Sequence, residues 1–160
     1  MKAWVFGDNV DTDAIAPGRY MKFGIDEIAR HCFEAVDPGF ATKVKNGDAV
    51  VGGRNFGAGS SREQAPEALR HLGVSVLIAE SFAGLFYRNA INLGLPALAC
   101  AQAKRIRQGD LLQVDFREGW ILNLTTAEKL ACEPIPTFLM SIIRDGGLLP
   151  HLEKRLARTA

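Results

Sequence analysis

The chain has 160 residues, 48% of them hydrophobic and 23% charged, with a formal net charge of +1. That length supports one domain with a real core, and the near-neutral balance gives no reason to expect nucleic acid or an anionic membrane as a partner. The three cysteines, Cys32, Cys100 and Cys132, are widely spaced and form no C-x-x-C pair, which argues against a disulfide framework or a self-contained zinc or iron–sulfur site.

The expectation is three thiols in a reducing cytosol, partly buried as small apolar residues. "MKAWVFGDNV" has no apolar core followed by a small-residue cleavage site, so it does not read as a signal peptide. The longest apolar run, "VSVLIAESFAGLF", is broken by Glu80 and falls short of the ~20 residues a membrane span needs. A soluble cytoplasmic chain is expected.

In chain order, "AWVF" reads as a short strand ended by Gly7 and Asp8. "GDNVDTDAIAPGRYM" follows, rich in Asp, Asn, Gly and Pro, and reads as a long loop. Long ordered loops in small domains are usually functional. Ile25, Ile28, Ala29 and Cys32 have helical spacing, so a helix is expected over 25–33. A buried strand is expected at Ala49–Val51, then the loop "GGRNFGAGSSREQAP" at 52–66. A helix follows from about Glu63 to Leu72, closed by Gly73. "VSVLIA" is a β-branched buried strand, "FAGLFYRNAINLG" a helix closed by Gly94, and "LPALAC" another strand. "GDLLQVDFREGWILNLTT" alternates as a hairpin with a tight turn at Arg117–Gly119. A last helix is expected over Phe138–Arg144, and the tail at about 148–160 reads as a frayed amphipathic helix. This order defines one mixed α/β domain over 1–160, with a parallel or mixed sheet, flanking helices and a small β-hairpin portion.

The loop at 52–66 carries the chemistry. Its glycines at 52, 53, 57 and 59 permit positive φ and a close approach of bare N–H groups to a ligand. The helix that follows directs its partial positive end at Ser60 and Ser61. Arg62 adds a planar guanidinium suited to a carboxylate. A plainer reading makes Ser61 and Gln64 a capping box, although Pro66 then falls beyond the first turn, and a start near Glu63–Ala65 suits it better. No G-x-x-x-x-G-K-[ST] is present, "GAGSSR" lacks the last glycine of a dinucleotide fingerprint, and Ser60 does not sit in G-x-S-x-G.

"RNFGAGSSREQAPEALRHLGV" resembles the signature of the aconitase swivelling-domain family. "GDNVDTDAIAPGRY" is similar to its D-x-D-T-D-x-I-x-P segment, and "ESFAGLFYRNAINLGLPAL" to its S-F-A-x-I-F-x-x-N-x-x-x-x-G-L-P stretch. The likeness runs from about Trp4 to Asp145. It is nearest to the separate small subunits of 3-isopropylmalate dehydratase and the homoaconitase-like relatives.

The resemblance implies a swivelling β/β/α-type domain and a reversible dehydration and rehydration of a hydroxy di- or tricarboxylate. It implies a [4Fe–4S] cluster held by a separate large subunit, this chain binding no metal of its own. Ser60 then matches the serine base, Ser61 and Arg62 match substrate-carboxylate ligands, and Asp13 matches a carboxylate at the edge of the site. Thr12 would cap or contact substrate. Gln64 stands where many members have His. The resemblance places specificity in "PGRYMKFG", where Tyr20, Met21 and Lys22 stand. Lys22 either pairs with an extra carboxylate or points into water, and Met21 could touch a branched alkyl group. Isopropylmalate in leucine biosynthesis is the leading substrate, homoaconitate or a dimethylmalate-type acid the alternative, and a non-catalytic carboxylate- or phosphate-binding module the reading from another class.

Outside these motifs, His31, His71 and His151 have no metal-ligand spacing and are expected to be structural. Trp4 and Trp120 are expected in the core or at a subunit interface. Asn89 is a candidate for positioning the loop.

Overall fold

Four short apolar runs become strands because both of their faces are covered. In the structure, a computed structural model that describes residues 1–159, β1 (Ala3–Val5), β2 (Ala49–Gly52), β3 (Val76–Ala79) and β4 (Ala97–Ala99) form a parallel sheet in that order. Its register lines up Trp4, Val50, Leu77 and Ala97 in one row. That row belongs to a core shared with the helices. The rows on either side, Ala3–Ala49–Val76 and Val5–Val51–Ile78–Leu98, pack in a second core.

The second core is closed by an antiparallel sheet of β5 (Leu112–Asp115), β6 (Trp120–Asn123) and β7 (Glu128–Ala131). Leu112, Ile121 and Leu130 are its buried contributions. The molecule is therefore three layers: helices, parallel sheet, antiparallel sheet. The expected hairpin is correct as far as it goes, but a third strand extends it. β7 reads "EKLA", with one buried side chain, Leu130, so its alternation is too short to register in sequence. The tight turn at 117–119 is held by Asp115, which accepts from the N–H groups of Arg117 (2.9 Å) and Glu118 (2.8 Å).

On the other face, the crossovers supply α1 (Thr12–Ile15), α2 (Ile25–Arg30), α3 (Phe40–Lys43), α4 (Gln64–His71) and α5 (Gly84–Asn92). The first crossover departs from the expected loop-then-helix. "TDAI" forms α1, capped by Asp11 accepting from Ala14 N–H at 2.7 Å, and a 3-10 turn spans Gly18–Phe23. α2 stops at Arg30 because Phe33 leaves helical geometry, with φ of 59°, to stack on Phe6 at 3.8 Å between ring centroids. Burying that aromatic pair outweighs the left-handed backbone. α6 (Thr137–Arg144) lies where a helix was expected, and the tail forms α7, a helix over Leu148–Thr159. Trp4 is core, its indole N–H donating to buried Asp48 at 3.0 Å.

Candidate active site

The loops after the carboxyl ends of β1, β2, β3 and β4 share one edge of the parallel sheet, the place where open α/β sheets hold ligands. The loop after β2 threads between the other loops by backbone hydrogen bonds. Gly57 N–H donates to Val10 at 2.7 Å and Thr12 N–H to Ala58 at 2.8 Å, while Phe56 N–H donates to Ser81 at 2.9 Å. Gly57 has φ of 83°, and a Cβ there would lie 2.1 Å from Phe86 Cγ. Only glycine fits such a position. The glycines of this loop thus serve first to pass the chain through a crowded edge.

This threading presents Ser60. Its Oγ lies 3.1 Å from Thr12 Oγ1, with either hydroxyl able to donate. Ser60 is exposed, whereas Thr12 is 2% exposed. Thr12 is therefore placed behind Ser60, with its hydroxyl against the serine. Its own backbone is anchored at both ends, since Thr12 C=O also accepts from Ala16 N–H at 2.9 Å.

α4 begins at Gln64 with Glu63 as its cap residue, and no side chain caps it. The Ser61–Gln64 capping box does not form. Pro66 falls in the first helical turn, where its missing N–H costs nothing. Ser61 is exposed, and its carbonyl accepts from Asn89 Nδ2 at 3.3 Å, which gives Asn89 the loop-positioning role expected of it.

Arg62 folds back over the start of the first crossover. Its Nη1 donates to Asp13 Oδ1 at 2.8 Å and to the Ala16 carbonyl at 3.2 Å. Asp13 also accepts from Gly18 N–H at 2.9 Å. The Arg62 hydrogen bond, then the Gly18 N–H, hold the Asp13 carboxyl below the usual carboxylate range. Asp13 fixes the guanidinium through one nitrogen, leaving the Nε and Nη2 donors of Arg62 for another anion. A cavity of about 390 Å³ adjoins this pair, with Asp11, Asp13, Arg19 and Glu34 in its wall.

The 3-10 turn carries Tyr20, Met21 and Lys22. Tyr20 stacks on His31 at 3.7 Å, and His31 lies between Glu34 (2.5 Å) and Glu27 (3.2 Å). Met21 packs against the helix-side core. Lys22 is exposed, its ammonium 5.0 Å from the Phe23 ring centroid. Tyr20 and Met21 fasten the turn, and Lys22 is left exposed beside Phe23.

One cluster was not anticipated from sequence. Asp8, at the end of β1, accepts from Arg54 N–H at 2.7 Å and from Lys104 Nζ at 3.1 Å, and Lys104 also pairs with Glu80 at 3.3 Å. The Arg54 N–H and the Lys104 ammonium hold the Asp8 carboxyl low. These charges tie together the loops after β1, β2, β3 and β4. The available signal was an ionisable residue just beyond each of four strands.

No three His, Cys, Asp or Glu side chains gather as a metal site among the described residues. Cys32 is sealed in the helix-side core, where burial pushes its thiol up. Cys100 and Cys132 lie in the other core. These thiols do not fit an iron–sulfur cluster, which takes several convergent cysteines.

A serine on a glycine-threaded loop, backed by a buried threonine and flanked by an arginine clamped to a D-T-D aspartate, defines a class. Residues 8–103 match the Aconitase C-terminal domain, and the chain belongs to that family.

Among its relatives is the isopropylmalate/citramalate isomerase small subunit of Methanocaldococcus jannaschii, 49% identical over 99% of this chain and 95% of the relative. The 3-isopropylmalate dehydratase small subunit of Halothermothrix orenii is 53% identical over 92% of this chain and 91% of that one. The methanogen homoaconitase small subunit of Methanothermobacter thermautotrophicus is 51% identical over 97% and 91%. The crystal structure of 3-isopropylmalate dehydratase from M. jannaschii superposes with a TM-score of 0.94 at 42% identity, covering 99% of this chain and 95% of that one.

Proposed function

We propose that this chain is the small subunit of a heteromeric, cytoplasmic hydro-lyase that interconverts 2-isopropylmalate and 3-isopropylmalate in leucine biosynthesis. The observation that carries the reading is the Ser60–Thr12 hydroxyl pair beside the Arg62–Asp13 pair on one loop edge. Small subunits of 3-isopropylmalate dehydratase at about half identity over nearly the full chain support it.

Isomerisation of this kind removes a C–H proton next to a carboxylate, loses the neighbouring hydroxyl, and adds water back in the opposite sense. Ser60 is the base. A free serine hydroxyl is a very weak acid, so its oxyanion needs donors and positive charge nearby. The Thr12 hydroxyl donates to it, and the N-terminus of α4 and the Arg62 guanidinium supply field. Arg62 offers its remaining donors to a substrate carboxylate, with Ser61 as a second ligand, while Asp13 keeps the guanidinium in place. The [4Fe–4S] cluster implied by the family would supply Lewis-acid chemistry at the substrate hydroxyl once the large subunit brings it. Its ligands belong to the large subunit, so this chain is inactive alone. The substrate is a small hydroxydicarboxylate, with neither nucleic acid nor membrane as a partner.

A second reading, the small subunit of a homoaconitase or a dimethylmalate-type dehydratase, rests on Lys22. Its solvent-facing ammonium could meet the additional carboxylate of a longer acid. The test is to combine the chain with the cluster-bearing large subunit encoded in the same genome, reconstitute anaerobically, and follow alkene absorbance with each acid. Isopropylmalate turnover that requires both chains is expected. Turnover by this chain alone would sink the half-site reading. Unaltered turnover by a Ser60→Ala complex would remove the base, and equal binding of carboxylates without turnover would favour a non-catalytic module.

A further inference from the structure

The three thiols do not remain three separate buried groups. Cys100, just beyond β4, and Cys132, just beyond β7, come from different sheets and meet at one core, where Cys100 Sγ donates to the Ala131 carbonyl and Cys132 Sγ to the Leu130 carbonyl. Two contacts fix this meeting. Glu133 N–H donates to the Ala99 carbonyl at 2.9 Å, so the neighbours of the two cysteines are already joined backbone to backbone. Cys100 Sγ lies 3.6 Å from the Ala131 carbonyl, immediately before Cys132. Cys100 is wholly buried and Cys132 half-buried, so Cys132 is the more accessible residue of the two.

We propose that Cys100 and Cys132 form an oxidisable dithiol that closes to an intramolecular disulfide with peroxide. This inference stands independently of the isomerase reading. The Cys132 sulfur attacks a peroxide oxygen, the O–O bond breaks, and the hydroxide that leaves takes the Cys132 thiol proton and departs as water, the Cys100 proton serving the second oxygen in the same way. Cys132 is then a sulfenic acid. The Cys100 sulfur attacks it, the S–S bond forms, and the second oxygen departs as water. The net change is two thiols and one hydrogen peroxide to one disulfide and two waters. Cys32 is the internal control, being sealed in the opposite core with its thiol pushed up by burial.

Closure would staple the two sheets beside functional ground. Cys100 leads into the turn that carries Lys104, whose ammonium holds Asp8 and Glu80. Beyond Cys132, Glu133 to Pro136 wall a cavity of about 460 Å³ shared with Glu80 and Phe82.

The experiment treats the full chain with hydrogen peroxide at neutral pH, then quenches with an alkylating reagent and measures intact and peptide mass. The expected result is loss of two hydrogens per chain, a Cys100–Cys132 linked peptide, an alkylated Cys32, and reversal by dithiothreitol. Cys132→Ser abolishes the linked peptide, and Cys32→Ser leaves it intact. The proposal is overturned if Cys100 and Cys132 stay alkylatable after treatment, or if oxidation is no faster at this pair than at Cys32. It is equally overturned if Cys132 proceeds to sulfinic acid with no disulfide. Because the readout is mass rather than turnover, failure of the isomerase reading would not be mistaken for failure of this one.

Discussion

The most informative single perturbation is Thr12→Val in the reconstituted complex. Valine keeps the shape of threonine and removes one hydroxyl. That hydroxyl sits 3.1 Å from Ser60 Oγ on a side chain that is almost fully buried. In the resting enzyme the loss costs little, because Ser60 is exposed and water can replace the partner. When Ser60 carries negative charge, the threonine donor serves an ion. A hydrogen bond to a charged group contributes about 1.5–3 kcal/mol, which converts to a fall in kcat of roughly 10- to 150-fold. The pH dependence gives a second readout. A donor to the oxyanion favours ionised Ser60, so its removal raises the serine's pKa, and the rising limb of the rate profile moves to higher pH. KM changes little, since Thr12 lies behind the serine. Thr12→Ser restores the hydroxyl and most of the rate. Alkene absorbance across pH, for wild type and both variants, is the assay, with circular dichroism to establish folding. A valine variant within twofold of wild type and with an unmoved pH limb would refute the reasoning. So would a defect confined to KM, which would return Thr12 to the substrate.

Arg62→Lys keeps the charge but loses the planar fork, and kcat/KM should fall roughly 10- to 100-fold. Asp13→Asn should weaken substrate binding with little loss of thermal stability, since the Arg62–Asp13 pair is largely solvated on the Asp13 side. Gly57→Ala meets both a left-handed backbone and the Phe86 ring, and is expected to lower stability by about 3 kcal/mol, read as a denaturant midpoint. Asp48 is buried, which opposes ionisation, but the Trp4 indole and the Lys45 and Lys2 N–H groups outweigh burial and hold its carboxyl low. Its folded-state pKa is depressed, so its contribution is present above the ordinary carboxylate range and is lost as pH falls through the lowered value. Asp48→Asn should therefore flatten the acid side of the stability profile, measured by urea melts from neutral to acid pH.

What the sequence disclosed and what it concealed follow one physical division. The parallel strands were legible because each is buried on both faces, and such a strand must be a short, continuous apolar run. Val76–Ala79 is the clearest case. The serine, arginine and aspartate of the candidate site stand out in the sequence because their motifs are local, each written within a few consecutive residues. The missed features are all products of long-range pairing. β7 exists because β6 offers it a ladder, and "EKLA" alone has no reason to be extended. Phe33 leaves α2 because Phe6, twenty-seven positions earlier, gives it a face to stack on. The meeting of Cys100 and Cys132 needs the antiparallel sheet to fold under the parallel one, which spacing along the chain cannot express. The same division governs Thr12, for which the motif leaves a cap and a substrate contact equally open. Within "DTD" it looks like a polar residue between two acids. Only the strand-like pairing of residues 10–12 with 57 and 58 turns it inward and sets its hydroxyl behind Ser60. Position in the motif puts Thr12 at this edge of the sheet, and the loop's threading sets its hydroxyl against Ser60.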